Sequence, residues 1–577
     1  MPSLAQMFLI AALPIIGMGV YFSSWFQGTF APIWESSALP QVKISQGLIV
    51  GTILDDNFPA PIDAFMGLPY AEAPVGDRRF RRAAPLPNSN KTIKAHAYGP
   101  ICPGKQLLMS SETPPISEDC MTVNIFRQKQ AADGKKVPVA VYIHGGAFNR
   151  GSSRMHNTGS MVAWSESPFI GVSFNYRIGA LGFLPSKLSF EEDIVNLGLH
   201  DQLFMLQWIQ DNIEAFGGDK NDVTIFGLSA GAHSIGHHIL NYKEGVSPHF
   251  HKAIIESGAP TSRAVHPYDA QVHEDQFALF VSEAGCADVP RDSITSCLRS
   301  QSEKTIFAAS TIVFDKYNPS LRWAFQPVID KEIIHQRPID AWATGTWNQV
   351  PIMTGHVTNE GTYYVPVSTT TGEDFTSFWH VLLPHYTTED LNTINALYPD
   401  PSKDEIYKDT RDLEAIGVGP QFKRVEAAYA HYAYVCPVRQ TADIASTVQE
   451  PPVYVFHWAL NKTVKGGANH GDNMYYESFQ DEVTSISEAQ KEVSGKYHAY
   501  VTSFITKGDP NVVQGRFADR PKWEKYNSKS EKVMTFGKGN DQRAGGTNVG
   551  IAAQMLGSEW VKKECEFWWK KSHDTEE

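Results

Sequence analysis

The chain has 577 residues, with 50 Lys+Arg against 63 Asp+Glu and a formal charge of −13. Hydrophobic residues make up 42% and charged residues 20%, a composition that excludes a disordered or fibrous chain. The acidic balance argues against a nucleic-acid partner, since no basic footprint is present to displace counterions from phosphates.

Residues 7–22 (MFLIAALPIIGMGVYF) carry no charge. That is the length of a signal-peptide apolar core and falls short of the ~20 residues a membrane helix needs. No basic residue precedes Lys43, and no clean small-residue cleavage site follows the stretch. Residues 1–30 therefore read as a signal peptide or, with 23–30 included, as an uncleaved membrane anchor. Both readings make the rest of the chain secreted or extracytoplasmic, where disulfides persist. None of the six cysteines forms a Cys-x-x-Cys, which gives zinc and redox motifs no support. Asn90-Lys91-Thr92 and Asn461-Lys462-Thr463 are then candidate glycosylation sites.

The length would fit about four domains of ~150 residues, yet the sequence shows no repeat, low-complexity tract or long linker. Beyond the N-terminal segment, short apolar runs alternate with helical patterns, as in βαβ units of a largely parallel sheet. Strands are predicted at 137–144 (VPVAVYIH) and 169–176 (FIGVSFNY). A helix follows over 196–216, with Leu199, Leu203, Leu206, Ile209 and Ile213 at helical spacing and Gly217-Gly218 as its stop. Further strands are expected at 223–228 (VTIFGL), 253–256, 351–355 and 453–460 (VYVFHWAL). Together they predict one α/β domain over 40–572, a mostly parallel sheet flanked by helices and lengthened by insertions.

Gly227-Leu228-Ser229-Ala230-Gly231 matches G-x-S-x-G, with an apolar strand before it and a helix-compatible stretch after it. A sharp strand-to-helix turn would hold the Ser229 oxygen above the sheet, and the two glycines would make room for that turn. The helix N-terminus beneath the serine favours developing negative charge. His144-Gly145-Gly146-Ala147 leaves the strand at 137–144. Such a loop can present the N–H groups of Gly145 and Gly146 to an oxyanion, joined by that of Ala230.

Ordered matches continue along the chain. They run from Phe65-Met66-Gly67-Leu68-Pro69-Tyr70-Ala71-Glu72 through Glu118-Asp119-Cys120, Asn175-Tyr176-Arg177 and Asp201-Gln202 to Phe216-Gly217-Gly218-Asp219. With the two motifs above, they resemble the type B carboxylesterase–lipase family, the α/β-hydrolases that include cholinesterases and fungal lipases. The resemblance implies a triad in the order Ser, Glu, His. Glu360, in Thr358-Asn359-Glu360-Gly361 past the strand at 351–355, is the expected acid. His470, on the loop GGANHGDN after the strand at 453–460, is the expected base, and His457 within that strand is its competitor. The resemblance also pairs Cys102 with Cys120 and Cys286 with Cys297, leaving Cys436 with Cys565, and it suggests a buried Arg79–Glu118 ion pair.

Three departures bear on the substrate. The loop between Cys102 and Cys120 has no tryptophan, whereas the cholinesterase loop carries one that holds choline by cation–π contact. That loop is also shorter than a lipase lid. Leu228 replaces the Glu common before the nucleophile, and the acidic residue after His470 is Asp472. The expected function is a serine carboxylic-ester hydrolase, acting through an acyl-enzyme on uncharged, apolar esters. The alternatives are a lipase, a hydrolase of specialised-metabolite esters, or a non-catalytic binding protein of the same fold. Phe148, Trp323 and Phe325 are either pocket lining or core. The partner expected is a small-molecule ester, with no cofactor and no metal assigned, and the oligomeric state is left open.

Overall fold

Strands covered on both faces read as continuous apolar runs rather than alternating ones, and such runs form the centre of this molecule. The computed structural model describes residues 39–105, 114–129, 134–263, 265–409, 411–558 and 561–575. The signal or anchor segment expected at 1–30, and part of the loop between Cys102 and Cys120, lie outside the described residues.

In chain order, β1 (Gln41–Ile44) and β2 (Gly47–Val50) form a hairpin. β3 (Thr52–Leu54) and β4 (Ile62–Pro69) begin the large sheet, while β5 (Thr92–Lys94) pairs with β2. The large sheet continues with β6 (Thr122–Gln128), β7 (Val137–Ile143), β8 (Ile170–Phe174), β9 (Gly218–Leu228) and β10 (Lys252–Glu256). It ends with β11 (Ile352–Val357), β12 (Val453–Trp458), β13 (Lys532–Lys538) and β14 (Ile551–Gly557). These make an 11-stranded sheet in the order β14-β13-β12-β11-β10-β9-β7-β8-β6-β4-β3. From β8 through β7, β9, β10, β11 and β12 to β13 every pairing is parallel, and the flanking pairings are antiparallel.

The two-residue side-chain period of a strand divides the core. Val139, Val141, Ile143, Ile225 and Ile255 join one cluster with Leu199, Leu206 and Ile209 of the helix Leu197–Asn212. Ala140, Tyr142, Phe226 and Ile254 join the opposite cluster with Val493, Tyr497, Val501 and Phe504 of the helix Glu488–Lys507. β7 pairs with β8 on one side and β9 on the other. The chain therefore reverses its direction of travel across the sheet between β7 and β9, and ligand crevices form outside the strand ends at such a point.

The predicted helix at 196–216 ends as an α-helix at Asn212 and tightens into a 3₁₀ turn over Ile213–Phe216, closed by Gly217 at φ 92°. β9 starts at Gly218, ahead of the predicted 223, because its polar first residues pair beside Val137 outside the apolar run. The small sheet of β1, β2 and β5, and β3, β4, β6, β13 and β14 of the large sheet, are not among the predicted strands.

Three disulfides close loops: Cys102–Cys120 (separation 18), Cys286–Cys297 (11) and Cys436–Cys565 (129). The last one ties the C-terminal helix Lys562–Lys570 to the helix Cys436–Val448. Behind the end of β10, the carboxyls of Glu256 and Glu477 are buried together. Glu256 accepts hydrogen bonds from Tyr497 Oη (2.6 Å) and Asn473 Nδ2 (3.0 Å). Burial pushes Glu256 up to about 7 and Glu477 well above the usual carboxylate range, where the charge of Glu256 adds to the effect.

Two outcomes follow from these features. Replacing Cys436 and Cys565 together by Ala should cost roughly 5 kcal/mol in denaturant unfolding, against ~3 for the Cys286–Cys297 pair, because loop-closure entropy grows with loop length. A carboxyl held above its unfolded pKa favours folding when protonated, so its contribution is present at low pH and is lost as pH rises from 4.5 towards 7. Glu477→Gln should therefore be more thermostable than wild type at pH 8 and should lessen the fall in stability as pH rises above 4.5. An unchanged profile would refute this account of the pair.

Candidate active site

The carboxyl end of β9 runs directly into the helix Ala230–Leu240, and Ser229 sits between them at φ 60°, ψ −123°. That left-handed backbone is costly for a residue with a Cβ. The turn is held by Ser229 N–H donating to the Glu256 carbonyl (2.9 Å) and by Ser229 O accepting from His233 N–H (2.9 Å). Gly227 and Gly231 both lie against the Ile143 carbonyl at the end of β7, where any Cβ would collide. The G-x-S-x-G spacing is thus a steric requirement of this strand pair.

Past Ile143 the chain enters the HGG loop. A Cβ on Gly145 would meet the Leu228 carbonyl at 2.5 Å and the Ser229 Cβ at 3.0 Å, so this loop lies flat against the serine turn. Gly146, Ala147 and Phe148 all have positive φ (118°, 55° and 60°). Asn149 Nδ2 fixes this unusual path by donating to the carbonyls of Ala147 and Ala324, both at 2.8 Å. His144 stacks on Tyr176 (centroids 4.2 Å), whose hydroxyl donates to the His144 carbonyl (2.7 Å). Among the described residues, nothing accepts from the N–H groups of Gly145, Gly146 or Ala230.

Glu360 and His470 come from loops after the neighbouring strands β11 and β12. Asn359 N–H donates to the Ala468 carbonyl (2.9 Å), and Ala468 N–H donates to Asn359 Oδ1 (3.1 Å), which joins the two loops. Glu360 is fully buried. One carboxylate oxygen accepts from Val357 N–H (2.8 Å), and the other lies 2.5 Å from His470 Nδ1. The second ring nitrogen of His470, Nε2, is buried and without a hydrogen-bond partner among the described residues. Gly471 packs on Leu228, which brings the histidine loop against the serine turn. Behind Glu360, Glu426 accepts from Gly361 N–H (3.0 Å) and Asn359 Nδ2 (3.2 Å), and burial pushes its carboxyl up to about 7. Asp472 accepts from Asn469 N–H (2.7 Å) and pairs with Lys462 (2.9 Å), steadying the other side of the loop.

His457 is half-buried within β12, donating to or accepting from Thr358 Oγ1 (2.8 Å) and packed on His356 (4.9 Å). Burial drives its pKa well below the usual value. The structure joins Glu360 to His470 and keeps His457 apart from that pair. Of the three candidate lining residues, Phe325 is core, edge-on to Phe280 (5.9 Å). Phe148 packs between Phe183 (4.9 Å) and His233 (6.3 Å), and Trp323 lines a cavity beside the site. Arg79 and Glu118 form a buried pair at 2.8 Å, with Arg79 Nη1 also donating to the carbonyls of Leu298, Arg299 and Gln301.

Sequence reasoning missed the wall around the histidine. Tyr434 lies 4.8 Å from the His470 ring and Tyr364 lies 5.4 Å from it, edge-on. Tyr434 belongs to a π-helical turn, His431–Val435, inserted between the helices Phe422–Ala430 and Cys436–Val448. Such bulges often occur at functional sites, and no residue pattern in this stretch announces one. Tyr364 is four residues after Glu360, which is the one local signal that could have found it.

The whole chain can be set beside known proteins. The family model described as the carboxylesterase family matches residues 38–568. Secreted lipase 4 of Gibberella zeae is 35% identical over 92% of this chain and 91% of its own length. An acetylcholinesterase of Bungarus fasciatus is 30% identical over 78% and 75%. The crystal structure of Aspergillus niger EstA superposes with a TM-score of 0.78 at 26% identity, covering 94% of this chain and 99% of that one. The chain belongs to the carboxylesterase family and is a carboxylic-ester hydrolase of α/β-hydrolase fold.

Proposed function

We propose that residues 40–572 form one catalytic unit in which Ser229, His470 and Glu360 act as nucleophile, base and acid. The observation that carries this reading is the buried Glu360–His470 pair at 2.5 Å, with Nε2 of the imidazole unpartnered beside the Ser229 turn. Ser229 Oγ attacks the ester carbonyl while His470 Nε2 takes its proton. Glu360 holds the Nδ1–H tautomer and stabilises the imidazolium. The carbonyl oxygen, now an oxyanion, accepts from the N–H groups of Gly145, Gly146 and Ala230, each such donor contributing ~3 kcal/mol at the transition state. His470 then gives the proton to the departing alcohol, leaving an acyl-enzyme. Water, deprotonated by the same nitrogen, attacks it and frees the acid and Ser229.

The substrates in this reading are esters with an apolar body, which the aromatic wall of Tyr364, Tyr434 and Trp323 would face. A lipase is the second reading, supported by relatives named as lipases from Gibberella zeae and Geotrichum candidum. Three disulfides and the relative named as secreted support an extracellular site of action. The segment at 1–30 would direct the chain there as a signal or anchor. Asn90, exposed before β5, and the half-buried Asn461 would carry glycans in that compartment. Among the described residues, no helix is long and apolar enough to cross a membrane.

Ser229→Ala should lower kcat on p-nitrophenyl esters by at least about 10⁴-fold and abolish labelling by an organophosphonate. Full labelling of that variant would sink the assignment. Glu360→Gln should retain the fold and lose on the order of 10⁴-fold in kcat, because the amide favours the wrong tautomer of His470. Across a chain-length series, a maximum at short acyl chains marks an esterase and one at long chains a lipase.

A further inference from the structure

Beyond the ring of Tyr434 lies Arg263. Its guanidinium stacks on Trp323 at 3.7 Å from the ring centroid, and Nη2 donates to Tyr434 Oη (2.6 Å). The same group lies 5.6 Å from the Tyr434 ring and 5.9 Å from that of Tyr364, the two tyrosines that pack on His470. No carboxylate among the described residues pairs with Arg263, and its Nε is buried without a partner. Arg263 is half-buried, so part of its guanidinium remains accessible while Nε is covered.

Arg263 also lines a cavity of about 80 Å³ together with Arg322, His266, His273, Trp323 and Gln326. One acidic residue borders the cavity, Asp574, and its carboxylate is engaged by Lys571 at 2.6 Å. Gln326 Nε2 donates to the Ala147 carbonyl (3.0 Å), so the cavity adjoins the HGG loop on one side and the histidine wall on the other. A second arginine, Arg150, follows that loop, lies over the Phe314 ring (5.8 Å) and also has no carboxylate partner among the described residues. Both guanidinium charges act on the Tyr364 hydroxyl, which burial nevertheless pushes up to about 12. In a chain of net charge −13, two arginines near the Tyr364 ring thus stand without a carboxylate partner among the described residues.

We propose that Arg263 receives a carboxylate carried by the substrate, so that the enzyme prefers half-esters of dicarboxylic acids. The ester carbonyl sits at Ser229, the apolar methylenes lie along Tyr434 and Tyr364, and the remote carboxylate meets the guanidinium. Charge-assisted pairing with arginine gives both affinity and orientation. The expectation of an uncharged substrate is thereby amended at one end of the molecule. This inference rests on the proposed role of Ser229, and the test separates the two.

The probes are the p-nitrophenyl half-ester of adipic acid and the same ester with its remote carboxyl methylated. Wild type should show a kcat/KM ratio, acid over methylated, of about 10 or more at low ionic strength, decreasing with added salt. In Arg263→Gln the ratio should fall to about 1, with Arg263→Lys between them. A wild-type ratio of 1 or below, with p-nitrophenol still released, overturns the carboxylate subsite and leaves the triad standing. An unchanged ratio in a folded Arg263→Gln also overturns it, since the arginine would then serve packing alone. If the variant does not fold, the wild-type ratio and its salt dependence decide. If neither ester is cleaved and Ser229 resists the organophosphonate, the catalytic reading fails and the subsite falls with it.

Discussion

The constraint on which the site depends is the contact of Gly227 and Gly231 with the Ile143 carbonyl. It forces the end of β7 and the turn after β9 together without any side chain between them. The left-handed backbone of Ser229 is affordable there because two backbone hydrogen bonds and a fully packed sheet determine it. Parallel register then carries the remaining parts to the same rim. β10, β11 and β12 pair in step, so the loops bearing Glu360 and His470 leave the sheet side by side. One steric condition between two adjacent strands thus fixes where every other group must arrive.

The parts legible in the sequence are those whose geometry is local. The glycines of the HGG and G-x-S-x-G loops are required by contacts within or next to their own turns, so spacing alone suggests them. The central strands are legible because burial on both faces leaves no polar alternation, as in 137–143. The edge hairpins are not, since β1 alternates exposed and buried residues over four positions and is held by its partner more than by its own composition. Tyr434 and Arg263 are illegible for a different reason. They lie 171 residues apart and meet only because the π-helical turn and the loop after β10 converge above the sheet. An isolated arginine in a loop carries no sign in the sequence that it will lack an acid.

Buried charge is distributed unevenly around the rim. Burial holds the carboxyls of Glu256, Glu477 and Glu426 towards their neutral forms, and that of Glu426 braces the loop carrying Glu360. The wall beside His470 is aromatic and cationic. His233, one turn beyond Ser229, is kept neutral by burial and then by the nearby charge of Arg263. His470 thus lies between carboxyls that burial holds towards neutrality and a wall that carries the Arg263 charge.

The longest disulfide has a further consequence. Cys436 is two residues from Tyr434, and its carbonyl accepts from Trp569 Nε1 (2.8 Å) in the C-terminal helix. The aromatic wall beside His470 is therefore fastened to the helix Lys562–Lys570 at two points, one covalent and one a hydrogen bond, so loosening that helix would loosen the packing around the imidazole.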